Sequence, residues 1–267
     1  PQMSQRVVLL ERSIEGKASG SFQRVMTRQI KFVHHAIKFA RERGCAFLLH
    51  LDDDELLYPE GEGDIPALFE KHLKSSKRCV HFNNLEAIYR FQEQHGRPFS
   101  RASTCFRQDH QVLYCNGKSA ANLTAPGEVY ASGVHRFCQH DRSFKEADPK
   151  FGLHDEVAGC SHPDCCVEEK SAHVLHFDCP SFAEWQSKFA IRASADLTPL
   201  DQEEMDLFPF KKSSVRVMKE KDVTKQKRVY RYWRCLPGRK EENLHPRLTG
   251  AEVEAEFERL LAKVRAS

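Results

Sequence analysis

The sequence has no long apolar run. No stretch approaches the ~20 consecutive apolar residues of a membrane-spanning helix, and no segment is patterned as a secretory signal peptide. A strong charge of one sign is also missing, because the formal net charge is only +3 over 267 residues. A charge this small does not by itself require nucleic acid or a membrane as the partner.

The cysteine content excludes one class of protein. Ten cysteines at this length are too few for a small disulfide-built scaffold and many for a cytosolic enzyme. Cys160, Cys165 and Cys166 cluster around His162, which invites a zinc site. The cluster has no Cys-x-x-Cys pair and adjacent cysteines rarely bind one ion, so a disulfide or free thiols are the favoured interpretation.

Other features bear only weakly on the compartment. Cys45 and Cys79 adjoin apolar runs, where buried free thiols are ordinary. Asn122-Leu123-Thr124 is a glycosylation sequon, although such triplets also arise by chance. The chain begins with Pro1 close to an apolar run, which is typical of a fragment or a processed form.

The most informative stretch is residues 46–55, a short apolar run that ends in four carboxylates. Such a run predicts a buried strand, and ligands of open α/β sheets bind at the carboxyl ends of strands. Repelling carboxylates need a positive partner, and oxygen-rich ligation suits Mg²⁺ or Mn²⁺. In an extended chain Asp52 and Asp54 would point to one side and Asp53 to the other. The alternative is a solvated acidic turn after a core strand.

The flanking patterns predict an α/β protein, and 267 residues suffice for one large α/β domain or two small ones. Apolar residues recur at helical spacing over 21–43, and Gly44 is placed to end that helix. Asp64 predicts the start of a second helix over about 65–75, with Pro66 in its first turn.

Short strands and further helices are predicted beyond residue 78. Residues 79–91 alternate in two phases, which predicts a bulge or two short strands. Residues 138–170, rich in His, Asp and Cys, predict an irregular excursion. Ser181 and Glu184 have capping-box spacing for a helix that runs to about residue 193. The remaining predicted elements are strands at 112–115 and 174–177 and an amphipathic helix at 250–266.

Several ordered segments together carry a family resemblance. They are His35-Ala36-Ile37 with Gly44 and Phe47-Leu48-Leu49; Asp52-Asp53-Asp54-Glu55-Leu56-Leu57; Gly117-Lys118-Ser119; Gly133-Val134-His135; and His176-Phe177 with Ser181, Glu184, Trp185 and Lys188. In this order they resemble glycosyltransferases of the GT-A type, in the family 2 and family 92 group, over about residues 20–190. The Cys-rich stretch around residues 160–166 has no counterpart in that pattern.

The resemblance implies a fold and a division of the chain. The implied fold is α/β, a GT-A-like (Rossmann-related) mixed sheet flanked by helices, whose first strand and helix are largely missing before residue 7. Residues 1–195 are then expected to be the catalytic domain with a truncated amino terminus. Residues 196–267 are expected to be a helical, basic C-terminal extension.

The resemblance also implies site residues. Asp52, Asp54 and His176 are the expected ligands of Mn²⁺ or Mg²⁺, although a lone histidine beside a strand is more often a structural hydrogen-bonder. The expected substrate-binding residues are Asp53, Glu55, Lys118, Ser119 and His135. An inverting transferase needs a general base, and Asp155 or Glu156 is the candidate for that catalytic role.

The implied activity is metal-dependent transfer of a hexosyl group from a nucleotide-sugar donor to a glycan or protein acceptor. Departure of the diphosphate builds negative charge, which a bound cation stabilises as a Lewis acid. Nucleic acid is not an expected partner, and a membrane-anchored parent protein is compatible with this activity. The expected location is the Golgi or another secretory-pathway lumen in a eukaryote, and the cytoplasm otherwise.

Two alternative functions stay open. A metal-dependent phosphoryl-transfer enzyme or nuclease would use the same carboxylates while a basic segment grips a polyanion. That segment, residues 211–240, holds twelve Lys and Arg residues against Glu220 and Asp222 and includes Tyr230, Tyr232 and Trp233. A noncatalytic module would bind a polyanion through this segment alone. A solvated basic face is the commoner outcome for such a composition.

Overall fold

A computed structural model of the chain describes residues 22–60, 64–93, 103–107, 117–125, 129–131, 135, 137–139, 166–195, 208–235, 244–249, 251 and 255. Within these ranges no helix combines the length and the apolar character needed to cross a membrane. The described residues form a mixed sheet with helices packed against it. The expectation of an α/β fold is therefore confirmed at this level.

The first helix, α1 (Phe22–Glu42), confirms the helical spacing seen over residues 21–43. Its buried residues Val33, Ile37 and Ala40 recur at intervals of three and four, so one face packs on the sheet. The helix gives way to the next strand at Gly44, whose φ of 68° is left-handed and favours glycine.

The second helix, α2 (Ile65–Glu70), is shorter than predicted. Pro66 lies in its first turn as expected, but residues 71–74 are turns. The amide of His72 donates to the carbonyl of Phe69, three residues back, which tightens the chain out of the α-helical path.

The strands are bounded as follows: β1 (Phe47–Leu49), β2 (Glu55–Pro59), β3 (Cys79–Tyr89), β4 (Ser103–Arg107), β5 (Lys118–Asn122), β6 (Val129–Ala131), β7 (Phe137–Gln139), β8 (Cys166–His176) and β9 (Leu244–Thr249). The long strand β3 lies between β5 and β8 along its first half and between β4 and β8 along its second. Outside these neighbours, β1 pairs with β5, β2 with β8 and β9 with β4. Strands β6 and β7 form a separate hairpin sheet.

Strand direction brings several charged residues to one edge of the sheet. Strand β5 is antiparallel to both β1 and β3, while β8 is parallel to β3. The carboxyl ends of β1 and β8 therefore lie at the same edge as the amino end of β5. That edge collects the acidic turn after β1, Lys118 at the start of β5 and His176 at the end of β8.

Strand β8 corrects two predictions. It begins at Cys166, so residues 166–170 are extended and do not belong to an irregular excursion. The strand predicted at 174–177 is the end of this longer element. The exposed Glu168 and Lys170 interrupt the apolar pattern of its first half, so the sequence does not predict a strand there. Backbone pairing with β3 stabilises this half.

The two-phase pattern of residues 79–91 does not reflect two short strands, because residues 79–89 form the single strand β3. The register against β8 shifts between Phe82, opposite Glu169, and Asn84, opposite Val174, so the extra residues of this irregularity are in β8. The change of phase within β3 accompanies the burial of all its residues from Asn84 onward. The strand predicted at 112–115, and the helix predicted at 250–266 apart from residues 251 and 255, lie outside the described residues.

Three more helices pack together beside the sheet: α3 (Phe182–Ser194), α4 (Pro209–Glu220) and α5 (Val223–Arg234). The predicted capping box is present, because Glu184 N donates to Ser181 Oγ (3.3 Å) and Ser181 N donates to Glu184 Oε2 (3.0 Å). The helices share an apolar core of Phe182, Trp185, Phe189, Phe210, Tyr230 and Trp233. The described part of residues 196–267 is thus helical in α4 and α5 and also contributes β9 to the main sheet; the domain boundary at residue 195 stays a prediction.

A disulfide joins Cys79 on β3 to Cys166 on β8, at positions paired in the sheet register. The expectation of a free thiol at Cys79 is therefore wrong. Cys45 is a free thiol, but an exposed one. Of the predicted cysteine cluster, Cys166 is bonded outside the cluster, while Cys160 and Cys165 lie outside the described residues.

Candidate functional site

The four carboxylates after β1 form a tight turn. Glu55 N donates to the carbonyl of Asp52 (3.1 Å), and Asp52 N donates to Glu55 Oε2 (2.9 Å). The chain is therefore not extended here, and the i, i+2 expectation for Asp52 and Asp54 does not apply. Their carboxylates instead meet different cations, while Asp53 is exposed at the tip of the turn.

Lys118 is the cation beside Asp52. Its Nζ lies 2.7 Å from Asp52 Oδ2 and 3.1 Å from Glu55 Oε2, and its side chain is 0% exposed. Gly117 makes this position possible, since its φ is 59° and a Cβ there would clash with the carbonyl oxygen of Phe82. A buried lysine thus ties the first and last residues of the turn together. Burial nevertheless raises the pKa of Glu55, which is only partly offset by the charge of Lys118.

His176 is the cation beside Asp54. Strand pairing places Glu86, His176 and Glu55 in one row across β3, β8 and β2. The imidazole Nδ1 lies 2.6 Å from Glu86 Oε1, and Nε2 lies 3.5 Å from Asp54 Oδ2. Burial opposes protonation, but the charge of Glu86 and the hydrogen bond with Asp54 outweigh it and raise the pKa of His176 to about 10. The imidazole is therefore protonated at neutral pH in this arrangement.

A buried ionic chain extends from His176 to the end of α5. Arg234 Nη1 donates to Glu86 Oε2 at 2.8 Å, and its Nε donates to the carbonyl of Asp178 at 3.1 Å. Lys188 Nζ lies 2.5 Å from Asp178 Oδ1. Charges of opposite sign thus alternate from Asp54 through His176, Glu86, Arg234 and Asp178 to Lys188.

The pKa shifts follow from this alternation. Burial opposes ionisation of Glu86, but His176 and Arg234 outweigh it and lower its pKa. In the same way Lys188 and Arg234 hold the pKa of Asp178 well below its usual range despite burial. Glu86 and Asp178 are therefore ionised and compensated by cations of the chain itself, which the acidic motif alone does not predict.

Two further predicted site residues lie beside Lys118. Ser119 is buried, with its Oγ 3.1 Å from His81 Nδ1. The carbonyl of His135 accepts a hydrogen bond from Ser119 N at 2.9 Å. Burial, followed by repulsion from Lys118, holds the pKa of the His135 imidazole well below its usual value. The predicted catalytic residues Asp155 and Glu156 lie outside the described residues.

Sequence reasoning missed Glu86, Asp178 and Arg234. An acid inside the apolar run of β3 was a usable signal for Glu86, because a buried carboxylate needs a partner. Asp178 directly follows the His176-Phe177 motif, so its position in the sequence was also a usable signal. Nothing in the sequence distinguished Arg234 from the other basic residues of its segment.

Asp54 and His176 are two of the three residues expected from the sequence to bind a metal ion, and the structure places the Asp54 carboxylate beside Nε2 of His176. The Asp54 side chain is 34% exposed and reaches solvent. The other ring nitrogen of His176, Nδ1, is hydrogen-bonded to Glu86 Oε1. A carboxylate in this position orients metal-binding histidines in proteins. The carboxylate of Asp52 is held by Lys118 instead. No group of three or more His, Cys, Asp or Glu side chains suited to a metal occurs in the described part of the chain.

Comparison with known proteins identified no relative of this chain. No protein-family description, no curated protein and no solved structure matches the chain.

Proposed function

We propose that this chain is a metal-dependent glycosyltransferase of GT-A architecture that moves a sugar from a nucleotide-sugar donor to a hydroxyl of a glycan or protein acceptor. The observation that carries the proposal is the row of Glu86, His176 and the acidic turn at the carboxyl edge of a mixed sheet. Ligands of open α/β sheets bind at such an edge. The sequence resemblance supplies the reaction class.

Asp54 and His176 would hold Mn²⁺ or Mg²⁺. One carboxylate and one imidazole leave most of the coordination sphere to water and to the oxygens of a donor diphosphate, which suits these ions. When bound, the cation offsets the negative charge that develops on the diphosphate as it departs. Because His176 carries a proton at neutral pH in the described arrangement, its Nε2 must release that proton before it can act as a ligand.

The neighbouring residues have positioning roles in this proposal. Lys118 is fully buried between Asp52 and Glu55, so it fixes the turn and does not reach a phosphate. Glu86 and Arg234 fix the imidazole of His176 and the backbone of Asp178. Asp53 is exposed at the tip of the turn, where it can contact a sugar or ribose hydroxyl. Asp155 and Glu156 keep the proposed role of general base.

The proposed location is a secretory-pathway lumen such as the Golgi. The disulfide between Cys79 and Cys166 supports it, because such bonds persist in oxidising compartments and are rare in the cytosol.

The test is thermal unfolding with Mn²⁺ and a panel of UDP- and GDP-sugars. A ligand that binds only the folded state raises the melting temperature, so one nucleotide class is expected to raise it in a metal-dependent way. The rise is expected to disappear in Asp54→Asn and to persist in Asp64→Asn, an exposed aspartate outside the turn with the same change of charge. A rise with single- or double-stranded oligonucleotides and none with any nucleotide sugar would favour a nuclease and contradict the proposal.

A further inference from the structure

Charge is segregated along this chain. Residues 208–235 hold ten Lys and Arg residues against Glu220 and Asp222, a formal charge of +8. Because the whole chain carries +3, the rest of it carries −5. The modest net charge therefore conceals one strongly basic segment, which forms helices α4 and α5.

The basic residues lie on the outward sides of the two helices. On α4 the exposed residues Lys212, Arg216 and Lys219 recur at intervals of four and three, so they share one face. On α5 the exposed residues Lys225 and Arg228 follow the same spacing, and the exposed Tyr232 continues it. The opposite sides of both helices are buried in the apolar core beside α3.

The ion pairs of Glu220 show that the exposed basic residues of α4 and those of α5 lie side by side. Glu220 Oε1 lies 3.7 Å from Arg216 Nε on α4, and its Oε2 lies 2.8 Å from Lys225 Nζ on α5. The carboxylate of Asp222 accepts from Lys225 N at 3.1 Å as the N-cap of α5. The exposed basic residues of the two helices thus form one surface, called here the basic face. It consists of Lys212, Arg216, Lys219, Lys221, Lys225 and Arg228, and Glu220 lies among them.

We propose that this basic face binds an acidic glycan chain that carries sulfate or uronate groups. Closely spaced cations on two rigid helices favour a polymer of anions over a single small anion. The disulfide between Cys79 and Cys166 indicates an oxidising compartment, where acidic glycans are the polyanions at hand. The choice of a glycan over nucleic acid rests also on the proposed transferase function.

Helix α5 carries part of the basic face and also reaches the candidate site through its last residue. Helix α5 ends at Arg234, whose guanidinium contacts Glu86 and Asp178 in the ionic chain described above. Arg228 of the basic face lies six residues before Arg234 on this helix, about 9 Å along its axis. The basic face and the ionic chain therefore share one rigid element.

The test is binding of a fluorescent heparin oligosaccharide, measured by anisotropy over a salt series in EDTA. The wild-type chain is expected to bind with an affinity that falls steeply with salt. The triple variant Arg216→Glu, Lys219→Glu and Arg228→Glu is expected to bind at least about tenfold more weakly. The control variant Lys31→Glu, Lys38→Glu and Lys74→Glu changes net charge equally on other exposed surfaces and is expected to bind like the wild type.

Three outcomes would overturn the proposal: equal weakening in both variants, no binding by the folded wild type, and tighter binding to duplex DNA or RNA of similar length. If the triple variant unfolds, the corresponding glutamine variant removes the charges without reversing them and gives the same comparison. Neither metal nor nucleotide sugar is present, so this result is independent of the donor test of the proposed function.

Discussion

At the scale of single residues, the site depends on cations that are matched to individual carboxylates. A group of acids after a strand suggested that a metal ion must compensate them. Lys118 and His176 already supply part of that compensation, while Arg234 and Lys188 do the same for Glu86 and Asp178. Asp54 and His176 are the proposed metal-binding pair, and the buried cations are expected to be important for stability.

Arg234 provides the sharpest test of this compensation. Removing one partner of a buried ion pair leaves an uncompensated charge, so Arg234→Met should lower the free energy of unfolding by about 3 kcal/mol or more. The matched control is Arg228→Met, an exposed arginine on the same helix, which should change it by less than about 0.5 kcal/mol. Urea unfolding of both variants measures the difference. Similar values for the two would contradict the buried network.

Glu169, at the far end of β8, gives a pH prediction. Burial opposes its ionisation, but hydrogen bonds from Lys71, Ser171 and His72 outweigh this and lower its pKa from 4.5 to about 2. A lowered folded-state pKa adds stability above the unfolded value of 4.5, and that stability is lost as the pH falls toward 2. The stability difference between wild type and Glu169→Gln should therefore shrink over this range. A difference that stays constant with pH would refute the assignment.

Asn122 shows how a sequence motif can mislead. Its side chain is buried, donates to the carbonyls of His72 and Lys77, and accepts from Thr124. The sequon is thus part of a buried turn, and an oligosaccharyltransferase cannot reach it in the folded chain. Expression through a secretory pathway should yield no glycan at this site, as judged by glycosidase treatment and gel mobility. A mobility shift that Asn122→Gln abolishes would contradict this prediction.

At the scale of elements, the sequence predicted the features that are stabilised by residues close together in the chain. The apolar spacing of α1 and the Ser181–Glu184 capping box lie within short stretches of sequence, and both are present. The first half of β8 was missed because its support comes from pairing with β3, not from its own residues. The turn at Asp52–Glu55 departed from the extended expectation because it is closed by its own hydrogen bonds and by the distant Lys118.

The disulfide between Cys79 and Cys166 joins β3 and β8 covalently at positions where the two strands pair. It closes a loop with a sequence separation of 87 residues, for which chain entropy gives a stabilisation of about 4.6 kcal/mol. Replacing Cys79 and Cys166 by alanine should lower the urea midpoint markedly and abolish the effect of reductant. Cys45→Ala, at an exposed free thiol, is the control. An unchanged midpoint in the double variant would show that the bond does not stabilise the strand pair.

At the scale of the whole molecule, the site is assembled from distant parts of the chain. The contact between Glu86 and Arg234 spans 148 residues, and that between Lys118 and Asp52 spans 66. Sequence patterns identify Asp54 and His176 as candidates, but they do not show which acid meets which cation. Only folding brings the acidic turn, β8 and the end of α5 to one edge.

The most direct measurement is Mn²⁺ binding in the presence of UDP, followed by electron paramagnetic resonance of the bound ion. We expect a bound-ion signal in the wild type and in Asp64→Asn, an exposed aspartate outside the turn, and its loss in Asp54→Asn and His176→Gln. A signal that survives in both of the latter variants would contradict the assignment of Asp54 and His176 as the metal-binding pair.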